Sequence, residues 1–579
     1  MDNEKLAHIR HTLAHLTAAA VRELWPGSQN AIGPAIDDGF YQDFEIAGTV
    51  TDADLPKIEK KIREMIPKWT HFEKIEVTKE EALKEFAWNT YKTELIEEFT
   101  QEGKKLTFHN SPGLIDLCKG GHLENPAKEL PFDCFKLDRV AGAYWRGSEK
   151  NPMLTRIYGL AFETKEKLDE YLRQREEAKA RDHKKLGREL DLFTFSDLVG
   201  AGLPLWTPKG TLVRDMLEGF VFELRQNVGY KRVDIPHITK KELYETSGHW
   251  DKFKDDLFRI TTREGHEFAM KPMNCPHHTQ IFARKQWSYK EMPERYANTT
   301  KVYRDEQSGE LAGLSRVRSI TQDDAHVFCR TSQARDEIAK IYNIVKTFYG
   351  TFGFTLKPRL SLHDPKNMKA YLGDEAAWLK AEEELRSMVK EKGDIPIEAV
   401  GEAAFYGPKI DFMAKDSIGR EWQVATIQLD SNMPERFDLY CINEKGERER
   451  IVMIHAAIMG SIERFMSVLI EHYAGNFPTW LSPVQVAIVP VRDNHNEFAS
   501  KIENELNSNF IRTEMFDADT SLGKRIHAGK ATRAPYVIVL GDKEMESNKL
   551  TVEKRDGTKE ELDLESFIAK ITEEIKNRK

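Results

Sequence analysis

The 579-residue chain has only five cysteines, Cys118, Cys134, Cys275, Cys329 and Cys441. An odd, widely scattered set of thiols argues against a disulfide framework and fits a reducing compartment, so a cytoplasmic location is expected. The start, Met1-Asp-Asn-Glu-Lys-Leu-Ala-His-Ile-Arg, lacks a basic segment leading into an apolar run. Nowhere do about eighteen apolar residues occur together, so neither export nor a membrane span is expected. Positive charge is not in excess either: the formal net charge is -9. Overall charge therefore gives no support to nucleic-acid binding, and local basic patches must carry any such contact. Internal repeats and low-complexity tracts are also missing, which excludes a repeat architecture.

What is present describes an ordinary globular protein, with 40% hydrophobic and 31% charged residues. The length exceeds one core and predicts about three or four domains. Residues 6–25 have apolar positions at helical spacing, stop at Pro26-Gly27 and carry His11 and His15, so they predict an amphipathic helix opening an α+β domain. Residues 165–188 are densely charged, with no Pro or Gly before Gly187, and predict a mostly solvated linker helix. A helix near residues 211–227 precedes Gly229-Tyr-Lys-Arg-Val-Asp-Ile-Pro236 and then strand-like runs such as Arg420-Glu-Trp-Gln-Val-Ala-Thr-Ile-Gln-Leu. That pattern predicts a mainly antiparallel sheet with helices packed on it. After Phe477-Pro-Thr-Trp-Leu-Ser-Pro483, buried strands such as Tyr536-Val-Ile-Val-Leu alternate with helices, as in a small α/β domain. The expected organisation is therefore multidomain, α+β and α/β, with segments 1–163, 164–188, 189–480 and 481–579.

Three separate segments hold candidate metal ligands: Lys271-Pro-Met-Asn-Cys275-Pro-His-His, Gln322-Asp-Asp324-Ala-His326 and Met453-Ile-His455. One thiol and two imidazoles could close around zinc, with a carboxylate beside one ligand and the fourth position open to substrate. With eighteen histidines in the chain, a buried thiol and ordinary polar packing is the favoured reading of these residues taken alone. A second set is His11-Thr-Leu-Ala-His15, whose imidazoles share a helix face, and Asp116-Leu-Cys118-Lys-Gly-Gly-His122. By spacing alone it too looks like a complete zinc site.

The text around these residues narrows the choice. Tyr303-Arg304-Asp305-Glu306, then Leu314-Ser-Arg316-Val-Arg318, and later Gly460-Ser-Ile-Glu-Arg464-Phe follow the order of motifs 2 and 3 of class II aminoacyl-tRNA synthetases. The wording resembles the threonyl-tRNA synthetases from about His11 to the C-terminus. The resemblance implies a class II antiparallel-sheet catalytic domain, a C-terminal anticodon-binding domain, and partners ATP, L-threonine and tRNA(Thr). It also implies a homodimer whose interface is formed by the helix and strand ending at Pro236. Arg304 should hold the amino-acid carboxylate and α-phosphate, Glu306 the adenine and Arg316 the pyrophosphate end of ATP. Arg464 should lie against adenine and the γ-phosphate, with Mg2+ sharing the phosphate charge. Cys275, His326 and His455 become ligands of one Zn2+ per subunit that selects threonine over valine, with Asp324 accepting the hydroxyl proton. Gln322, Tyr406, Lys409, Gln423, Gln428 and Ser461 should line the amino-acid or adenylate pocket. Ala456 stands where many relatives have Arg.

A zinc selector cannot reject serine, which lacks only a methyl worth roughly 1 to 3 kcal/mol, so a hydrolytic editing site is expected. The resemblance assigns it to His11, His15, Lys92, Asp116, Cys118 and His122 in the first domain, read as metal-free although related domains bind metal there. Gln42, in Gly39-Phe-Tyr41-Gln42-Asp43, replaces a common Tyr. Relatives often carry a further small N-terminal domain that is not found here. In the last domain Ser521-Leu-Gly-Lys524-Arg525-Ile-His-Ala-Gly-Lys530-Ala-Thr-Arg533 is basic without an acid, so Lys524, Arg525 and Arg533 are candidate phosphate contacts, against a solvated helix face. Glu544 is the candidate anticodon reader, with Glu553 where relatives have a basic residue. Two alternatives remain: a standalone tRNA-editing hydrolase, and a non-catalytic RNA-binding regulator.

Overall fold

The computed structural model describes residues 3–517 and 519–579. The chain divides into two compact units, Met1–Glu176 and Glu177–Lys579.

The first unit is built on the helix Asn3–Leu24, whose Ile9, Leu13, Leu16 and Ala20 are fully buried. It packs against the strand Gly39–Glu45 and the helix Leu55–Met65. Gly39–Glu45 lies in an antiparallel sheet with Met153–Ala161 and Phe135–Tyr144. A smaller antiparallel sheet joins Glu73–Val77, Leu106–Ser111 and Leu114–Leu117, and its hairpin delivers Asp116 and Cys118 toward the first helix.

The single linker helix expected over residues 164–188 is two helices, Lys165–Ala180 and His183–Glu189. The Asp182 carboxylate accepts from the Lys184 and Lys185 backbone amides at 2.7 and 3.4 Å, so it caps a new helix instead of continuing the old one. The second helix is anchored rather than solvated: His183 Nδ1 lies 2.6 Å from Glu471 Oε1, and Leu186 is buried.

In the second unit an eight-stranded sheet runs in the order 231–232, 294–303, 319–329, 452–461, 421–430, 409–415, 355–362 and 397–400. The central pairings are antiparallel; those at both edges are parallel. The helices Pro208–Gln226, Ala334–Thr351 and Ile462–His472 supply Leu217, Ile341, Phe348, Phe465 and Leu469 to the large core. A smaller domain follows, its sheet ordered 513–515, 486–490, 536–540, 550–554 and 559–562. The first three strands are parallel, as the buried runs predict, and the last two add an antiparallel hairpin. Among the described residues no helix is long and apolar enough to cross a membrane.

Candidate active site and metal centre

In the strand Ser319–Cys329, alternate residues share a face, so Gln322, Asp324 and His326 point the same way. The register sets His326 opposite His455, His455 opposite Gln428, and Gln428 opposite Lys409. Four of the sequence-selected residues thus form one row across four strands. Above the row, two cavities of about 640 and 570 Å³ open on the same sheet face. One is bordered by Glu306, Arg316, Ser461 and Arg464, the other by Asp324, Tyr406, Lys409, Gln428 and His455; Arg304, Gln322 and Gln423 border both.

The walls of these cavities follow from a break in the ladder. Pairing of Ser319–Cys329 with Val452–Ser461 shifts between Gln322 and Asp324, so Gln322 meets Ser461 while Asp324 meets Ala457. Asp323, at the bulge, accepts from the Ile458 and Met459 amides at 2.9 and 3.1 Å and pairs with buried Arg225. These bonds replace the lost ladder and let Gly460, at φ 74°, turn the chain along the cavity floor.

Arg304 is half-buried between the cavities, its guanidinium 5.4 Å over the Phe253 ring. Its Nε has no protein partner, and among the described residues no carboxylate pairs with it. Burial lowers its pKa. A desolvated, unpaired guanidinium is a receptor for an anion. Arg316 is instead held by Glu306, Nε to Oε2 at 2.8 Å, and by Glu310 at 3.1 Å. Lys409 Nζ donates to Asp411 at 2.6 Å, and Asp411 also accepts from Ser361 and Thr426. Gln428 donates to the Gly407 carbonyl at 2.8 Å, fixing the loop that presents Tyr406. The Ser461 hydroxyl caps the helix Ile462–His472 by accepting from the Arg464 amide.

At the end of the row the ligand atoms of Cys275, His326 and His455 all lie within 4.8 Å of one another. His326 Nε2 and His455 Nδ1 are 3.1 Å apart. Each imidazole is held from behind: His326 Nδ1 lies 2.7 Å from His278 Nδ1, and His455 Nε2 lies 2.9 Å from Asp430 Oδ2. Asp324 accepts from Asn274 at 3.1 Å, and burial raises its pKa to about 6. Burial, with Asp324 and Asp430 nearby, pushes the Cys275 thiol well above its ordinary range. Among the described residues no lysine or arginine pairs with Cys275, Asp324 or Asp430. One thiol, two back-braced imidazoles and nearby acids without a lysine or arginine pair fit a divalent cation of zinc's preferences. His278, Asp430 and Asn274 were not singled out from sequence. A signal existed for two of them: His278 follows Cys275 by one helical turn, and Asp430 shares the face of Gln428 two residues earlier.

The first unit holds a second cluster: His11, His15, Cys118 and His122, again with ligand atoms within 4.8 Å. Cys118 Sγ lies 3.0 Å from His11 Nε2 and 3.6 Å from His122 Nε2. Here the charge is balanced internally. Asp116 pairs with Lys92 at 2.6 Å and with His15 Nδ1 at 3.2 Å. Burial opposes a charged His15, yet Asp116 and Cys118 outweigh it and raise its pKa to about 9. Burial likewise opposes the Cys118 thiolate, but His11, His122 and His15 bring its pKa well below the ordinary thiol range. Burial lowers His122 to about 4. Gln42 is buried, with its amide over Gly33.

Two of the expected RNA contacts are corrected. Arg525 is buried, its guanidinium donating to the carbonyls of Thr520 at 3.0 Å, Val491 at 3.1 Å and Pro490, which ties its helix to the sheet. Glu544 is also buried, accepting from the Gly541 amide at 3.1 Å and Thr551 Oγ1 at 2.8 Å, so it caps a helix. Lys524 is exposed; Arg533 is half-buried and donates to the Ala474 carbonyl. Glu553 pairs with Lys530.

Comparison with known proteins agrees with this layout. Residues 258–473 match the tRNA synthetase class II core domain (G, H, P, S and T), and residues 485–574 match an anticodon binding domain. The chain is 45% identical to a threonine--tRNA ligase of Rubrobacter xylanophilus over all of this chain and 90% of the relative. It is 45% identical to the enzyme of that name from Thermotoga petrophila, over all of this chain and 89% of the relative. Among solved structures it resembles the RNA binding domain of threonyl-tRNA synthetase from Cryptosporidium parvum Iowa II, with TM-score 0.65 and 35% identity, over 68% of this chain and 98% of that one.

Proposed function

The chain belongs to the threonyl-tRNA synthetase family, and from that premise we propose how its residues divide the work. It is a ligase that activates threonine with ATP and transfers the threonyl group to tRNA, and like other class II synthetases it uses Mg2+ with ATP. In activation a threonine carboxylate oxygen bonds to the α-phosphorus as the bond to pyrophosphate breaks, and no protein nucleophile is required.

The observation that carries the reading is Arg304, a half-buried guanidinium with no side-chain partner among the described residues where the two cavities meet. It holds carboxylate and α-phosphate together and stabilises the charge that builds between them. Glu306 takes adenine, Arg316 the pyrophosphate end and Arg464 the adenine face and γ-phosphate, so ATP displaces the Arg316–Glu306 pair. Gln322, Tyr406, Lys409, Gln423 and Gln428 enclose the amino acid, and Ser461 borders the adenylate.

Cys275, His326 and His455 would hold one zinc ion, which supplies a Lewis acid able to take threonine's amino and β-hydroxyl groups as ligands. Asp324 accepts the hydroxyl proton. Valine has no group for that contact, and a site built around a hydroxyl rejects such an analogue by about 10⁴-fold or more. Serine passes, and the first unit removes it. There His11, His15, Cys118 and His122 orient the seryl ester and an attacking water, with Lys92 and Asp116 fixing His15. The internal charge balance of that cluster favours the metal-free reading. Water adds to the ester carbonyl, and serine and free tRNA leave.

Lys524 and Arg533 are the phosphate contacts in the anticodon-binding domain. A homodimer forms through Pro208–Gln226 and the strand Lys231–Arg232, which leaves a sheet edge for a second copy. The cytoplasm, where five unpaired thiols stay reduced, is the location.

The test is amino-acid-dependent ATP–pyrophosphate exchange with threonine, serine and valine, together with metal analysis. Strong exchange with threonine, weaker with serine and none with valine, with about one zinc per chain, is expected. Equal exchange with valine would overturn the selector role.

A further inference from the structure

His278 lies one helical turn beyond Cys275 on the helix Cys275–Ala283 and is fully buried. Its Nδ1 is 2.7 Å from His326 Nδ1, with the rings perpendicular and their centroids 4.7 Å apart. At that distance one nitrogen carries the proton and the other accepts it. The direction follows from the opposite side of the His326 ring. His326 Nε2 converges with His455 Nδ1 and the Cys275 thiol, and a nitrogen that ligates a cation must offer its lone pair. The His326 proton therefore belongs on Nδ1, and His278 Nδ1 accepts it. His278 keeps its own proton on Nε2, where it is buried without a partner among the described residues.

That arrangement is costly for packing alone. A leucine would fill the space without an orphaned polar atom, and the contact to His326 is the one side-chain hydrogen bond His278 makes among the described residues. Asp430 supplies the equivalent support to His455, but as a carboxylate. A neutral acceptor behind His326 adds no further negative charge to a cluster that already holds Asp324 and Asp430.

We propose that His278 is a positioning residue: it fixes the tautomer and ring angle of His326 so that Nε2 faces the metal position. The inference rests on reading Cys275, His326 and His455 as the zinc centre.

The experiment is competition for zinc between the full-length protein and a chromophoric chelator, with the visible spectrum of the Co2+-substituted protein as a second readout. His278→Asn places an amide oxygen near the position of Nδ1 and keeps an acceptor; His278→Leu removes it. Seryl-tRNA hydrolysis in the first unit and the thermal midpoint report whether each variant is folded. We expect H278N to hold zinc within a few-fold of the parent and H278L to hold it about 10- to 100-fold more weakly, with altered cobalt bands. Unchanged zinc affinity in folded H278L overturns the proposal. Equal weakening in H278N and H278L overturns it too, since the effect is then one of packing. If the parent binds no zinc, the zinc centre itself is wrong and the inference falls with it. Loss of zinc in Cys275→Ser but not in H278L sinks only the role of His278.

Discussion

Lys92 places its ammonium 2.6 Å from Asp116 Oδ1, with both side chains buried, and among the described residues Asp324 has no such counterpart in the other cluster. Two sets of histidine and cysteine with equally close ligand atoms therefore differ in electrostatics. One carries its own cation, and the other is left short of one. The first prediction follows: metal analysis of the purified protein gives about one zinc per chain rather than two, and Cys275→Ser removes it while Cys118→Ser does not. Two zincs per chain would show that the Lys92–Asp116 pair is not a substitute for metal.

The same pair controls His15. Its pKa is raised to about 9, so its contribution to stability is complete below its unfolded value near 6.5 and drains as pH rises through about 9. Asp116→Asn removes the principal partner. Seryl-tRNA hydrolysis should fall by about 10²-fold or more, the scale of a general acid–base contribution. Threonine-dependent exchange should stay at the parent rate, because the activating residues lie in the other unit. The alkaline loss of thermal midpoint between pH 7 and 9 should also flatten in D116N. A midpoint that falls equally in both proteins would rule out His15 as its source.

Much of this was legible in the sequence, for reasons visible in particular residues. The helix at residues 6–25 and the strand at residues 420–429 were readable because their apolar periods are dictated by one buried face. Arg304, Arg464 and His326 were readable because they sit in ordered motifs. The hidden part is long-range. Nothing local says that Asp323 closes a bulge opposite Ile458, or that Asp430 sits behind His455; both depend on strand register set by the whole sheet. Arg525 shows the reverse error. A run of basic residues looks like one exposed face, yet a helix packed on a sheet turns one of its positions inward, and that arginine binds backbone carbonyls.

That correction separates two neighbouring substitutions. Lys524→Gln should weaken tRNA binding with little change in melting, and the slope of log affinity against log salt should become shallower by about 0.9. Arg525→Gln takes the donor from three carbonyls, of which that of Pro490 is buried and costs about 1 to 3 kcal/mol to leave unpaired, and should lower the thermal midpoint of the anticodon-binding domain. If R525Q melts like the parent and loses only tRNA affinity, the tie is dispensable and the residue is an RNA contact.

Arg304 should reveal the conflict between stability and catalysis most directly. Its guanidinium is half-buried with its Nε enclosed, desolvation lowers its pKa against the more distant pull of Glu306 and Asp256, and among the described residues no carboxylate forms an ion pair with it. The free enzyme therefore bears a partly desolvated charge whose direct partner arrives only with substrate. Arg304→Met keeps a flexible apolar stem in the same space and removes the charge. Its thermal midpoint should rise, by the equivalent of about 1 to 3 kcal/mol. Its threonine-dependent exchange should fall by about 10²- to 10³-fold, with the loss mainly in kcat because the contact strengthens as charge develops on the phosphate. Arg304→Lys keeps the charge without the planar fork, so it should recover little of the stability gain and little of the rate. A less stable R304M would mean that the guanidinium already has a stabilising role in the free enzyme, and the substrate-anion assignment would then lose its physical basis.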